Sequence, residues 1–191
     1  MLYFVGLGLW DEKDLSMRAL EVLKKADEVY AEFYTSRPMG MDLHRFETLI
    51  GKNLKVLERE GVEEGFDKLI EEAKKKDVCL AVGGDPLVAT THSELLIRAW
   101  KAGVRTRVIH GSSIYSAVAE SGLQIYRFGR SITVTFWLEK YKPASFYDFI
   151  CKNLDHNLHT LCFLDIDSAN GKYMTPNEAI EILTAIEKEK K

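Results

Sequence analysis

The chain has 191 residues, 46% of them apolar and 29% charged, with a formal net charge of −3. That composition belongs to a globular protein long enough to bury a core, and it excludes an intrinsically disordered chain. It also argues against a nucleic-acid footprint. The basic runs Lys74–Lys76 and Lys188–Lys191 sit beside glutamates and read as solvated helix faces.

The apolar start, Met1 to Trp10, has no basic leader and runs into Asp11-Glu12-Lys13-Asp14, so it is expected to be a buried first strand and not a signal peptide. Strand Leu2–Val5 is followed by a helical stripe of Leu15, Ala19, Leu20, Leu23 and Ala26, with Asp14 as the expected N-cap. Glu28–Phe33 reads as a strand. Leu43, Phe46, Leu49 and Ile50 mark a helix that ends at Gly51. Leu54–Leu57 reads as a strand, and Val62, Phe66, Leu69, Ile70 and Ala73 form one helical stripe. Val78–Val82 is an apolar strand stopped by two glycines. A helix over 91–102 closes at Gly103, and a strand follows over 104–109.

Beyond this point the pattern predicts a helix over 113–120, a strand over 132–136, a helix over 146–154 and a strand over 160–166. The last element opens on Thr175-Pro176-Asn177-Glu178, a capping box with proline at the first helical position. Strands alternating with helices predict an α/β fold with a parallel sheet. The first sheet is complete by about Ile109. The expected organisation is an N-terminal α/β domain over 1–110 and a second, incomplete α/β domain over 111–191, whose two strands are a poor independent core. No stretch reaches the ~20 apolar residues of a membrane helix. Cys79, Cys151 and Cys162 lack metal-ligand spacing, so no metal is expected, and they read as buried thiols in a reducing, cytoplasmic setting.

Three loops follow strand ends and are candidate ligand contacts, because open α/β sheets bind ligands there. Gly6-Leu7-Gly8 follows the first strand, but Asp11 stands where a dinucleotide fingerprint needs a third glycine, which weakens a nicotinamide reading. Gly83-Gly84-Asp85-Pro86 allows close backbone approach and puts a carboxylate at the strand mouth; the same residues also describe an ordinary turn with Asp85 as a cap. His110-Gly111-Ser112-Ser113-Ile114 opens on the same edge, where a serine could simply cap the next helix. His92, His110, His159 and Asp165 are candidate bases, but no spacing singles one out, so no catalytic residue is assigned.

At these residues the chain is similar to the diphthine synthase family, within the tetrapyrrole-methylase-like fold. The matching stretches are 2–9, 31–36, 84–92 (Gly-Asp-Pro-Leu-Val-Ala-Thr-Thr-His), 108–110, 113–118, 159–161, 164–166 and 173–175. The resemblance implies two α/β domains with S-adenosylmethionine in a cleft between them, and a homodimer. It implies methylation of the amino group on a modified histidine of translation elongation factor 2, on the way to diphthamide. Carried over by motif position, the cofactor contacts are Leu9, Asp85, Val88, Ser113, Ile114 and Leu164. Members of that family continue past the position of Lys191 with strands that complete the second domain, which implies a shortened chain here. The alternatives are a tetrapyrrole methyltransferase of the same fold and a fragment that binds cofactor or partner without turnover.

Overall fold

Five short strands pair into one parallel sheet, β1 (Leu2–Gly6), β2 (Glu28–Glu32), β3 (Lys55–Leu57), β4 (Val78–Val82) and β5 (Thr106–Ile109), in the order β3-β2-β4-β1-β5. Every residue of β4 is buried, as expected of a central strand covered on both faces. The computed structural model describes residues 1–190, and for Ala169 the backbone alone. They divide into two compact units, Met1–Ala117 and one that begins at Val118.

Alternation along each strand splits the first unit's core in two. Leu2, Phe4, Val78, Leu80 and Val82 face α3 (Arg59–Glu63), α4 (Phe66–Ala73) and α5 (His92–Lys101). Val5, Leu7, Cys79, Ala81 and Ile109 face α1 (Met17–Lys25) and α2 (Leu43–Ile50). A short α6 (Ile114–Ala117) closes the unit. The stripe from Val62 to Ala73 is two helices: the chain breaks at Gly65, yet all five apolar positions stay buried in the same core. The N-cap of α1 is Ser16, not Asp14. The Ser16 hydroxyl accepts from the Ala19 N–H at 3.0 Å, whereas the Asp14 carboxylate is taken by the N–H groups of Leu9 and Trp10.

The second unit contains β6 (Ile132–Val134), α7 (Ser145–Asp155), β7 (Cys162–Leu164), the two-residue strands β8 (Ile166–Asp167) and β9 (Lys172–Tyr173), and α8 (Pro176–Lys190). β6 and β7 are parallel and β8 and β9 antiparallel, so the single strand expected over 160–166 is interrupted. The interruption falls at Asp165, whose carboxylate accepts from the N–H groups of Phe136 and Ile166. The expected capping box is present: Thr175 N–H donates to Glu178 Oε2 at 2.8 Å, and Glu178 N–H donates to Thr175 Oγ1 at 3.3 Å. The core is small, built on Ile132, Val134, Phe146, Met174, Ala179 and Ile186. Cys79 is buried, which pushes its thiol up to about 12, while Cys151 and Cys162 in the small unit are only partly buried, contrary to expectation. Among the described residues no helix is long and apolar enough to cross a membrane, and no group of three His, Cys, Asp or Glu side chains could hold a metal ion.

Candidate functional site

Parallel pairing of β4, β1 and β5 brings the three candidate loops to one sheet edge, because each follows a strand C-terminus. Their backbones meet directly. Gly8 and Gly84 exchange hydrogen bonds, Gly8 N–H to Gly84 O at 3.2 Å and Gly84 N–H to Gly8 O at 2.8 Å. A Cβ on Gly6 would lie 2.5 Å from Gly111 N and 2.6 Å from Gly84 O, and one on Gly111 would lie 2.4 Å from Gly84 O. Only glycine allows three backbones this close. A neighbouring loop joins them, since a Cβ on Gly83 would meet Ser36 O at 2.3 Å.

Asp85 ties the junction together. It is 6% exposed, and its Oδ1 accepts from Leu87 N–H at 2.9 Å. Its Oδ2 accepts from Gly111 N–H at 3.2 Å and lies 2.8 Å from His110 Nδ1. A carboxylate can only accept, so His110 is the donor there. The cap and turn role weighed from the sequence is therefore present, and Asp85 also ties its own turn to the loop after β5.

The residues named from the sequence fall as follows. Leu9 is an exposed apolar side chain on the loop after β1, Ile114 is an exposed apolar side chain opening α6, Val88 is half-buried on the turn after β4, and Ser113 is buried. Leu164 ends β7 in the second unit. Among the four candidate bases, His110 is 70% exposed beside Asp85, while His92 is fully buried. In the second unit the His159 ring stands edge-on to Phe128, and Asp165 holds two backbone N–H groups. Two further acidic residues also shape this edge, Asp14 in a role other than the N-cap expected of it and Glu32, which the sequence did not single out. Asp14 holds the loop after β1, and Glu32, at the end of β2, is buried against His92. The available signal for Glu32 was an acidic residue directly after the apolar Val29-Tyr30-Ala31 of β2.

The junction leaves open space at Gly84. A Cβ on Gly84 would find no heavy atom nearer than Ser112 O at 3.9 Å, so this residue has open space beside it, and its φ of +71° is one that glycine adopts at no steric cost.

Comparison with known proteins names the chemistry. The model of the tetrapyrrole (corrin/porphyrin) methylases matches residues 1–190. The chain belongs to this family. Within the tetrapyrrole methylases it is 50% identical over 193 residues to a diphthine synthase of Methanocella arvoryzae and 46% identical over 193 residues to that of Methanocaldococcus jannaschii. Each alignment covers 100% of this chain and 75% of the relative. A diphthine synthase crystal structure matches with a TM-score of 0.91 at 44% identity, over 98% of this chain and 72% of the other. A putative diphthine synthase from Entamoeba histolytica matches at 0.89 and 43% identity, over 100% of this chain and 73% of the other.

Proposed function

We infer that this chain is an S-adenosylmethionine-dependent methyltransferase of diphthamide biosynthesis. The observation that carries the reading is the glycine junction of Gly6, Gly84 and Gly111, clamped by Asp85 at the C-terminal edge of the sheet, in a chain whose whole length aligns with 75% of the length of diphthine synthases. The substrate is translation elongation factor 2, and the methyl group goes to the amino nitrogen of its modified histidine. Leu9, Asp85, Val88, Ser113 and Ile114 hold the cofactor in the first unit, and the family resemblance adds Leu164 from the second. The protein works in the cytoplasm as a homodimer, without metal or nucleic acid.

S-adenosylmethionine, when bound, supplies an already activated methyl group. What the protein adds is alignment and exclusion of water; orientation alone can lower a barrier by roughly 7–11 kcal/mol. Backbone held within contact distance at three points gives a rigid floor for that alignment. The attacking amine must be neutral, and desolvation favours the neutral form of an alkyl amine.

The test is transfer of labelled methyl from S-adenosylmethionine. Elongation factor 2 carrying the modified histidine should be labelled, and a porphyrinoid should not. Label on the porphyrinoid alone would select the tetrapyrrole reading. Cofactor binding by calorimetry with no transfer to either would select a non-catalytic binding fragment.

A further inference from the structure

Two ionisable groups of the first unit lie behind the Asp85 turn, away from solvent. Glu32 closes β2 and His92 opens α5, and both side chains are fully buried. Glu32 Oε2 accepts from the N–H groups of Tyr34 and Thr35, each at 3.1 Å, and Oε1 accepts from the Thr35 hydroxyl. His92 Nδ1 lies 3.2 Å from the Pro86 carbonyl. A carbonyl only accepts, so Nδ1 carries a proton. Nε2 then has no hydrogen-bond partner among the described residues, and Glu32 Oε1 stands 3.6 Å from it.

A neutral imidazole bonded through Nδ1–H presents a lone pair at Nε2. An ionised Glu32 would present a second lone pair to it, with neither satisfied by the other. One proton between them removes the conflict. At 3.6 Å the contact is too long for a hydrogen bond, and a side-chain shift of roughly 0.7 Å brings it into range.

We propose that Glu32 and His92 share one proton, carried on the Glu32 carboxyl and donated to His92 Nε2. The pair is then a positioning device, since His92 in turn holds the Pro86 carbonyl and so the Gly83–Val88 turn that faces the methyl donor. This role rests on the methyltransferase reading above; the shared proton does not. Burial drives both groups toward their uncharged forms, raising the Glu32 carboxyl and lowering the His92 imidazole to about 4. Opposing this are, at Glu32, the Thr35 and Tyr34 donors and Arg59, whose guanidinium lies over the Tyr34 ring at 5.3 Å, and, at His92, the Pro86 carbonyl. Glu63 acts on neighbouring Tyr34, and Phe4, beside the His92 ring at 6.4 Å, carries no charge.

The direct test is nitrogen-15 NMR of the histidine rings in the wild-type chain. His92 should show the Nδ1–H tautomer with an accepting Nε2, unchanged between pH ~5.5 and 8, a window set by its displaced pKa. An imidazolium at pH ~7, or a proton on Nε2 of the neutral ring, would overturn the proposal. The positioning role is read by calorimetry with S-adenosylmethionine. E32A should weaken binding about tenfold or more, the scale expected of second-layer positioning groups. E32Q, whose amide N–H can donate to Nε2 as the acid does, should recover most of the loss. In methyl-transfer assays the defect should appear in KM for S-adenosylmethionine and not in kcat. If E32Q binds as poorly as E32A while folded by circular dichroism, the negative charge matters and the assigned proton is wrong. If the wild type shows the expected tautomer yet binds no S-adenosylmethionine, the methyltransferase reading falls, the positioning role falls with it, and the shared proton stands.

Discussion

Substituting Gly6 by alanine tests the idea that glycine holds the three loops together. Position 6 is not in the left-handed region, so alanine brings no backbone strain of its own, only its Cβ. That atom would sit 2.5 Å from Gly111 N, 2.6 Å from Gly84 O and 2.8 Å from Gly111 Cα, all of them backbone. Restoring ordinary contact at about 3.4 Å requires the loops to part by roughly 0.9 Å. A gap of that size carries the Gly8 N–H to Gly84 O bond, now 3.2 Å, out of range and strains the Gly111 N–H to Asp85 bond, also 3.2 Å. Two such bonds at about 1 kcal/mol each, added to an overpacking cost of about 1–3 kcal/mol, give a destabilisation of about 3–5 kcal/mol. Urea denaturation measures this, and calorimetry should show loss of S-adenosylmethionine affinity in step. Gly61→Ala is the control of opposite sign. It lies within α3, its Cβ would meet nothing closer than Leu57 Cδ2 at 3.5 Å, and alanine should stabilise the helix by up to about 1 kcal/mol. Equal stability and equal cofactor affinity for Gly6→Ala and wild type would refute the packing argument.

His92 should impose an acid limb on stability. Its folded pKa of about 4 lies below the ordinary 6.5, so between those values the unfolded chain binds a proton that the folded chain refuses. Its contribution is complete above pH 6.5 and shrinks by about 3 kcal/mol as pH falls to about 4. The raised Glu32 carboxyl acts oppositely, its contribution being fullest below its ordinary 4.5 and declining as pH rises toward the raised value. Denaturation of wild type and H92Q across pH 4–7.5 should show their difference narrowing toward acid; a pH-independent difference would contradict the buried neutral imidazole. Thr175→Ala should cost about 1 kcal/mol of stability by removing the N-cap of α8, read from the urea midpoint. D85A should abolish cofactor binding, since it unties Gly111 and His110 from the turn after β4; affinity within twofold of wild type would show that the clamp is dispensable.

Much of the fold was legible because it rests on local rules. Residues 78–82 read as a central strand from their unbroken apolar run. The capping box at 175–178 begins a helix and the left-handed Gly51 ends one, each through contacts within a few residues, and both stand as expected. A local reading failed where the side chain was taken by another stretch of backbone. Asp14 looked like a helix cap, but its carboxylate serves Leu9 and Trp10, and Ser16 caps α1. The stripe from Val62 to Ala73 kept its buried face while its backbone broke at Gly65, because periodicity reports which side chains are buried and not whether the helix is continuous.

The candidate site divides along the same line. The sequence by itself determined the family, the five strands, and which loops carry the glycines and Asp85, since these are written in motifs of adjacent residues. Only the tertiary structure decided that Gly6, Gly84 and Gly111 meet backbone to backbone, that Asp85 bridges two loops 26 residues apart, and that Glu32 and His92 face each other across the interior. Those contacts follow from the order β3-β2-β4-β1-β5, which sets distant strand ends side by side. Strand order is fixed by packing of the whole sheet against its helices, and no local pattern of residues encodes it.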